Sequence, residues 1–431
     1  MTHKSTYFVA IAAAALCTLT AMNAVIGYAH AKEPPTVEEI QRQHSVLTRT
    51  NPSYDSEGIQ FANFILLPSI DNSIEYNDNI FSTSAGRQTD RVFIFRPEAI
   101  LSSTFNRHFL GASAYIEHGK HQDFTGENYT DAQGAFSGRL DIIGDFSVPL
   151  KLKYERSHIK RGVPDENNVL KPTIVKTSTA VTGFDFNGQQ LSGVFRAALE
   201  QYRFKDNATP NGFVDNSDRD RREVTFATYM GLSQDRLFAP YGYVEHKDIS
   251  YRRSIDDNGF RRSSQSYDTG FGLNIRLSGV LSAKLQAGYN HRKFDDNRFD
   301  DINGLTYNAN LVWEPSTLLA LNANTQRTIE ESTLSNFSAS VDDNYALKAT
   351  YELLPNVLVK PGVSYLLKDY EGSGTRELKR FTGDMGVTYK LNRKLWANAN
   401  YEYIKQREDV GTSSSNNFEN NIYTLSLKLK L

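Results

Sequence analysis

The sequence predicts an all-β fold: a single closed, antiparallel, up-and-down transmembrane β-barrel of about 18 strands. Three observations predict it. From Phe61 onward polar and apolar residues alternate, without a convincing helix of ordinary length. The alternating segments run for about ten residues or more, the length that a tilted strand needs to cross a bilayer. The connections between the segments alternate between short turns and long polar loops, which is the pattern of short periplasmic turns and long extracellular loops.

The alternation assigns each side chain to one of two faces, because successive residues of a strand point to opposite sides. In YDTGFGLNIRL, residues 267–277, Tyr267 and Phe271 share one face, whereas Asp268 and Arg276 share the other. The same rule holds for LSAKLQAGYNHR, LLALNANTQ and LWANANYEYI. Short turns are predicted near Asn106, Gly144, Gly188, Gln234, Gly279, Pro315, Pro355 and Asn392.

The last stretch, NIYTLSLKLKL, has the pattern of a closing strand. Tyr423 and the leucines up to Leu431 fall on one face, and Lys428 and Lys430 fall on the other. Lipid cannot satisfy a free sheet edge, so a sheet of such strands must close on itself. We therefore expect the leucines to face lipid and the lysines to face the lumen. A soluble β-repeat protein is the alternative.

The N-terminal part of the sequence has the features of a secretory signal peptide. Lys4 precedes an apolar stretch, and Ala29-His30-Ala31 matches an A-x-A cleavage site. The single cysteine, Cys17, lies within this stretch, so the mature chain is expected to lack disulfides. The predicted organisation is a signal peptide at 1–31, a polar periplasmic leader at 32–58 and an outer-membrane β-barrel at 59–431. We therefore expect the chain to be exported to the periplasm and inserted in the Gram-negative outer membrane.

Composition and motifs exclude several classes of function. The net charge of −2 gives no sign of nucleic-acid binding. The sequence has no G-x-S-x-G, no H-E-x-x-H and no glycine-rich phosphate loop, and its histidines are scattered. We therefore predict no catalytic residues, no metal site and no cofactor. An enzyme or a surface-attachment barrel remains a third hypothesis, because a triad can assemble from distant strands.

A barrel of this size leaves an aqueous interior, so the residues of the water-facing register are the candidate pore lining. In the second half of the chain the cations of that register outnumber the acids, which predicts a mildly cationic wall that favours anionic or neutral hydrophilic cargo. Pairing of these cations across strands, which would stiffen the wall, is an equal alternative. The candidates are Arg276, Lys284, Arg292, Lys348, Lys360, Lys368, Arg380, Lys390, Lys428 and Lys430.

Four stretches resemble a family of porin-like outer-membrane β-barrel proteins associated with capsule and exopolysaccharide export. They are residues 66–103, with YNDNIF at their centre, YERSHIKRGVPDE at 154–166, DRDRREVTF at 218–226 and LVWEPSTLLALNANTQRTIEEST at 311–333. The resemblance implies a conduit for a secreted polysaccharide chain that works with periplasmic and inner-membrane synthesis and export proteins. Outer-membrane lipid and lipopolysaccharide are the other expected partners. A general or solute-specific diffusion porin is the alternative function.

Overall fold

Long antiparallel strands follow the alternating segments of the sequence. The computed structural model describes residues 45–47, 49, 51–163, 169–210, 212–277, 279–332, 334, 336–372, 374–410 and 416–431. The predicted signal peptide, 1–31, lies outside the described residues, as do residues 32–44 of the predicted leader. The first strands are β1 (Ile59–Phe61), β2 (Phe64–Asn77), β3 (Asp90–Ser103), β4 (Phe109–His121), β5 (Tyr129–Asp141), β6 (Phe146–His158), β7 (Ile174–Asn187) and β8 (Leu191–Phe204).

The remaining strands continue the same up-and-down path. A small hairpin in one loop, β9 (Asn207–Thr209) and β10 (Gly212–Val214), stands apart from the main sheet. After it come β11 (Arg221–Leu232), β12 (Phe238–Tyr251), β13 (Ser264–Leu277), β14 (Leu281–Phe294), β15 (Ile302–Ser316), β16 (Leu319–Glu331), β17 (Phe337–Leu354), β18 (Val357–Gly372), β19 (Glu377–Lys390), β20 (Leu395–Asp409) and β21 (Phe418–Lys430). In the part of the chain that the structure describes, 3-10 turns at Thr125–Glu127 and Ser217–Arg219 lie in loops.

The main sheet closes into a barrel of 18 strands, β2–β8 and β11–β21, which confirms the predicted fold class. Each strand pairs with its neighbours in the chain, and β21 completes the circle by pairing with β2, with Leu429 opposite Ile70. The short β1 pairs with Phe64–Leu66 of β2, below the point where Ser69 meets Lys430. The strand β1 thus continues the line of β21 along the same edge of β2.

The two ends of the barrel differ as the sequence predicts. Short turns join the strands at one end and longer loops join them at the other, which identifies the periplasmic and extracellular ends. Seven of the predicted turn positions lie in these short turns. Pro315 instead lies within β15, and the turn itself is Thr317-Leu318. Proline is tolerated there because it is the penultimate residue of the strand, where the ladder register with β16 is already shifted.

The outer face of the barrel carries an apolar band. Leu425 and Leu427 of the closing strand are 66% and 54% exposed, as expected of side chains that meet lipid. Exposed aromatic residues flank this band at both ends, as in outer-membrane barrels. Those nearer the loops include Tyr76, Tyr267, Tyr289, Phe381 and Tyr423, and those nearer the turns include Phe146, Phe184, Phe238, Trp313, Tyr351 and Tyr389.

Helices make no contribution to membrane crossing in this part of the chain: among the described residues none combines the length and the hydrophobicity that a bilayer span requires.

The outward leucines give a first testable prediction. Leu427→Arg places a cation near the middle of the apolar run of β21, so we expect it to lower the free energy of unfolding in lipid vesicles by about 2–4 kcal/mol. Thr424→Arg is the matched control, because Thr424 faces the lumen directly across from Glu75. Urea unfolding of both variants measures the difference, and an equal loss in the two would contradict the assigned faces.

Candidate functional site: the barrel lumen

The ten predicted pore-lining residues all lie on barrel strands, but the structure gathers only half of them. Lys348, Lys360, Lys390, Lys428 and Lys430 lie on β17, β18, β19 and β21, toward the periplasmic ends of those strands. We call these five residues the lysine sector. The other five are spread over β13, β14, β18 and β19.

Two members of the lysine sector, Lys348 and Lys360, face the lumen without an ion pair among the described residues. Lys348 lies directly across from Gly362, and Lys360 lies directly across from Gly386. Glycine has no side chain, and the carboxylate of Asp384 lies over Gly362 beside Lys348, whereas the space over Gly386 holds no carboxylate. Within the described residues, neither ammonium group makes an ion pair or a hydrogen bond. Both charges are therefore available to mobile ions in the lumen.

A tryptophan organises the periplasmic edge of the lysine sector. The ammonium nitrogens of Lys430 and Lys390 lie 3.1 Å and 4.6 Å from the centre of the Trp396 ring. Such cation–π contacts fix the two long side chains against the wall. Lys428 is paired with Glu98 of β3 at 3.0 Å, so it is already neutralised.

The chain just before the barrel lies against this edge. We call residues 49–58 the strap; residues 49 and 51–58 are described. The carboxylate of Asp55 is 2.6 Å from the ammonium of Lys390, and the carbonyl of Tyr54 accepts a hydrogen bond from the Trp396 indole at 3.0 Å. The strap thus places an anion of the chain itself beside the lysine sector.

Further contacts hold the strap along the strand ends. Arg49 forms an ion pair with Glu352 of β17, and Glu57 forms one with Arg393 of the β19–β20 turn. The hydroxyl of Ser56 donates to the carbonyl of Leu431 at 2.6 Å. These contacts reach from β17 to the end of β21, so the strap narrows the periplasmic opening on that side.

The remaining five candidates have partners, as the pairing alternative predicts for them. Lys368 meets Asp342 at 2.9 Å, Arg276 meets Asp235 at 4.0 Å, Arg292 pairs with Glu331, Arg380 donates to the Gln406 amide oxygen at 2.5 Å, and Lys284 lies 5.9 Å from the Tyr229 ring. An electrostatic effect of the ten residues on solutes stays a prediction.

On the β11–β14 side, tyrosine rings lie flat against the inner wall of the barrel. The Tyr243 hydroxyl donates to Asp268 at 2.7 Å, and its ring lies so close to Gly288 that a Cβ there would overlap the hydroxyl. Tyr241 covers Gly272 in the same way. Both rings are buried, because they lie flat over these glycines and thicken the wall.

One extracellular loop folds back into the barrel. In loop 159–173 the carbonyl of Gly162 accepts hydrogen bonds from Arg380 at 3.2 Å and from Gln406 at 3.3 Å. Arg380 and Gln406 belong to the lumen face of β19 and β20, and Gln406 is fully buried. The first part of this loop, residues 159–163, therefore reaches from β6 to β19 and β20 and narrows the extracellular mouth.

Gly162 fits this contact because of its missing side chain. Its φ is +86°, a conformation that favours glycine, and a Cβ would lie 2.7 Å from the ring of Phe418.

A buried arginine joins two further loops at the extracellular rim. Arg262, in loop 252–263, is 4% exposed. Its guanidinium donates to Asp256 at 2.6 Å and to the carbonyls of Ser332, Phe337 and Leu334 at 2.8, 2.8 and 2.9 Å. The planar fork of arginine suits such a set of acceptors. Arg262 therefore holds together the loop that joins β12 to β13 and the loop that joins β16 to β17.

Loop 295–301 is tied to this pair of loops by Asp296. The Arg298 guanidinium, at 2.6–2.8 Å, and the backbone N–H of Arg261, at 2.8 Å, hold the pKa of the Asp296 carboxyl well below its usual range. A carboxyl with a depressed pKa contributes stability at neutral pH that is lost only in strong acid. The extracellular rim therefore keeps this contact in mildly acidic surroundings.

Comparison with known proteins decides the family. The model of the family described as "Putative beta-barrel porin 2" matches residues 51–431, which is the whole barrel and most of the strap. The chain belongs to this porin family. Its fold and its family place this porin in the outer membrane. A comparison with curated protein sequences found no match.

Several solved structures align with this porin over most of its length. OccK1 (OpdK) of Pseudomonas aeruginosa is 12% identical, with a TM-score of 0.44, over 85% of this porin and 99% of that chain. OccK9 (OpdG) of the same organism is 10% identical, with a TM-score of 0.46, over 86% and 99%. The siderophore receptor PirA of Acinetobacter baumannii is 8% identical, with a TM-score of 0.43, over 84% and 80%.

Several residues that shape the lumen were missed by the sequence analysis. Gln406 and Arg262 have no local pattern, because their partners lie far along the chain or on backbone carbonyls. Trp396 falls in the water-facing register, and a bulky aromatic residue among the polar side chains there was a usable signal. The acids of the strap, Asp55 and Glu57, gave another, since they stand just before a barrel with a cationic register.

Proposed function

We propose that this porin is a passive diffusion channel for small hydrophilic solutes, and that it favours anions. The observation that carries the proposal is the pair of lysines on the lumen face, Lys348 and Lys360, that form no ion pair among the described residues. The mechanism involves no covalent step. A solute enters through one mouth, exchanges part of its water for contacts with the wall, and leaves through the other.

The lysines would act by raising the local concentration of anions. A unit charge about 4 Å from an ammonium in bulk water gains about 1 kcal/mol, and more beside a low-dielectric wall. Each lysine can therefore enrich an anion severalfold without binding it so tightly that passage stops. The Asp55 carboxylate beside Lys390 reduces this effect at the periplasmic edge, which leaves Lys348 and Lys360 as the main contributors.

Polysaccharide export, the function implied by the resemblance, has less support. An extended polymer needs an unbroken opening at both ends, whereas the strap and loop 159–173 occupy part of each mouth. The family description refers to a porin and to no polymer. Partnership with periplasmic and inner-membrane export proteins has no supporting observation here.

Ion selectivity in planar bilayers tests the proposal. Under a KCl gradient the wild type should show an anion-selective reversal potential, and Lys348→Glu/Lys360→Glu should shift it to cation selectivity. The matched control is Lys379→Glu/Lys405→Glu, which makes the same charge change on the outward face, where both lysines are paired with acids. Unchanged selectivity in the lumen variant, or an equal shift in the control, would remove the anion preference.

A deletion strain separates the two functions. Normal surface polysaccharide together with slower uptake of a small anionic solute would support the diffusion channel. Polymer that is lost from the surface and accumulates in the periplasm, and that returns with the intact gene, would support export instead.

A further inference from the structure

The outer wall carries a row of cations that face one another across strands. Arg156 of β6 is directly opposite Lys176 of β7, and Lys176 is directly opposite Arg203 of β8. Residues opposed in this way have Cβ atoms about 4.5–5.5 Å apart, and like charges so placed destabilise a sheet. Arg222 of β11 lies one step further round, opposite Gln201. We call these four residues the cation row.

The chain supplies little negative charge to the cation row. Among the described residues, the side chains of Arg156, Lys176 and Arg222 make no ion pair or hydrogen bond. Arg203 is 3.4 Å from Asp220, but Asp220 is shared with Arg252 at 3.5 Å. A single carboxylate thus serves two arginines, and three of the four cations lack a partner.

The one outward carboxylate on the next strand is engaged elsewhere. Asp248 of β12 lies opposite Val224, close to Arg222. Its two oxygens accept hydrogen bonds from Ser250 at 2.8 Å and from Gln265 at 3.3 Å. Arg222 therefore stays without a carboxylate partner, and the cation row needs anions from outside the chain.

The position of the cation row shows which anions can reach it. On β6, Tyr154 and Leu152 precede Arg156 on the outward face, and both are exposed. On β11, Phe226 follows Arg222 on the same face and is also exposed. Each cation thus stands at the extracellular end of a strand, directly above apolar surface that meets lipid chains. This is the level of lipid headgroups in the outer leaflet.

We propose that the cation row binds the phosphate groups of a phosphorylated glycolipid of the outer leaflet, whose acyl chains lie against Leu152, Tyr154 and Phe226. Arginine binds phosphate through two parallel hydrogen bonds, and lysine adds a compact charge. The bound phosphates would also relieve the repulsion between Arg156 and Lys176. The proposal does not depend on which solute the lumen carries.

Native mass spectrometry of the full chain in detergent micelles tests the site, with purified lipopolysaccharide as the probe. We expect Arg156→Gln/Lys176→Gln to weaken binding by about tenfold or more, which corresponds to about 1.4 kcal/mol. The control Lys379→Gln/Lys405→Gln removes the same charge from lysines that are already paired, and it should bind like the wild type. Dephosphorylated lipopolysaccharide should bind weakly to the wild type and to the double variant. Millimolar inorganic phosphate should not displace the glycolipid from the wild type.

Thermal unfolding provides a second readout that a simple folding defect would not imitate. Without glycolipid the double variant should unfold at the same temperature as the wild type or higher, because repulsion is removed. With glycolipid the wild type should gain stability and the variant should not. Equal binding by variant and wild type, an equal loss in the control, or displacement by inorganic phosphate would overturn the proposal. If the double variant does not assemble, the single change Arg222→Gln takes its place, with the same expected direction.

Discussion

Gly162→Val is expected to release loop 159–173 from the inner wall and to raise the single-channel conductance. Valine at a φ of +86° is strained, and its Cβ would lie 2.7 Å from the Phe418 ring. Backbone strain and overpacking each cost about 1–3 kcal/mol, whereas a typical hydrogen bond that anchors the loop contributes about 0.5–1.5 kcal/mol. Strain and overpacking together match or exceed what the Gly162 carbonyl gains from Arg380 and Gln406, so the loop should leave the wall.

Gly86→Val separates strain from displacement. Gly86 lies in another extracellular loop with a φ of +66°, and a Cβ there meets nothing within 4 Å. This control should therefore keep the wild-type conductance, although it carries the same kind of backbone strain. Planar-bilayer recordings of both variants measure the effect, together with a check of barrel assembly by heat-modifiable mobility in gels. Wild-type conductance for Gly162→Val would show that the loop does not restrict the channel.

The second large effect is expected at Arg262. Arg262→Met removes the partner of the buried Asp256 carboxylate and leaves three carbonyls without their donor. Breaking a buried ion pair by removing one partner costs about 3–5 kcal/mol. We expect this cost to appear as local opening of loops 252–263 and 332–336, because these loops contain the contacts that are lost.

Hydrogen exchange measured peptide by peptide shows whether the opening is local. Exchange in loops 252–263 and 332–336 should accelerate strongly in Arg262→Met, while the barrel strands keep their protection. Arg253→Met is the control, since Arg253 lies in the same loop but pairs with the exposed carboxylates of Asp215 and Asp257. Exposed pairs contribute about 0–1 kcal/mol, so that variant should change little. Similar exchange in the two variants would contradict the role given to Arg262.

The sequence was sufficient for the barrel and for the two faces of each strand. A pleated strand repeats every two residues, so the face of Leu427 or Lys428 can be predicted without knowing its neighbours. Turn residues such as Gly144 and Pro355 correctly marked the ends of the strands. Of the predicted turn positions, only Pro315 lies in a strand, two residues before the turn itself.

Pairing within the lumen could not be predicted in the same way. Lys360 and Lys368 lie on one face of one strand, yet Lys368 stands opposite Asp342 whereas Lys360 stands opposite Gly386. The difference depends on the offset between neighbouring strands, which the alternation does not encode. The contact of Gly162 with Gln406 is harder still to predict from the sequence, because it joins a loop to the barrel wall across 244 positions of the chain.

The strap also has a mechanical consequence. It is fastened at Glu352 on β17, at Lys390 on β19 and at the carbonyl of Leu431 after β21, so it spans an arc of the periplasmic rim like a chord. Flattening of this arc under lateral pressure from the bilayer would move the three contacts apart, and the strap resists that movement. The contacts of the strap thus favour the curvature that brings the lysines of this sector together.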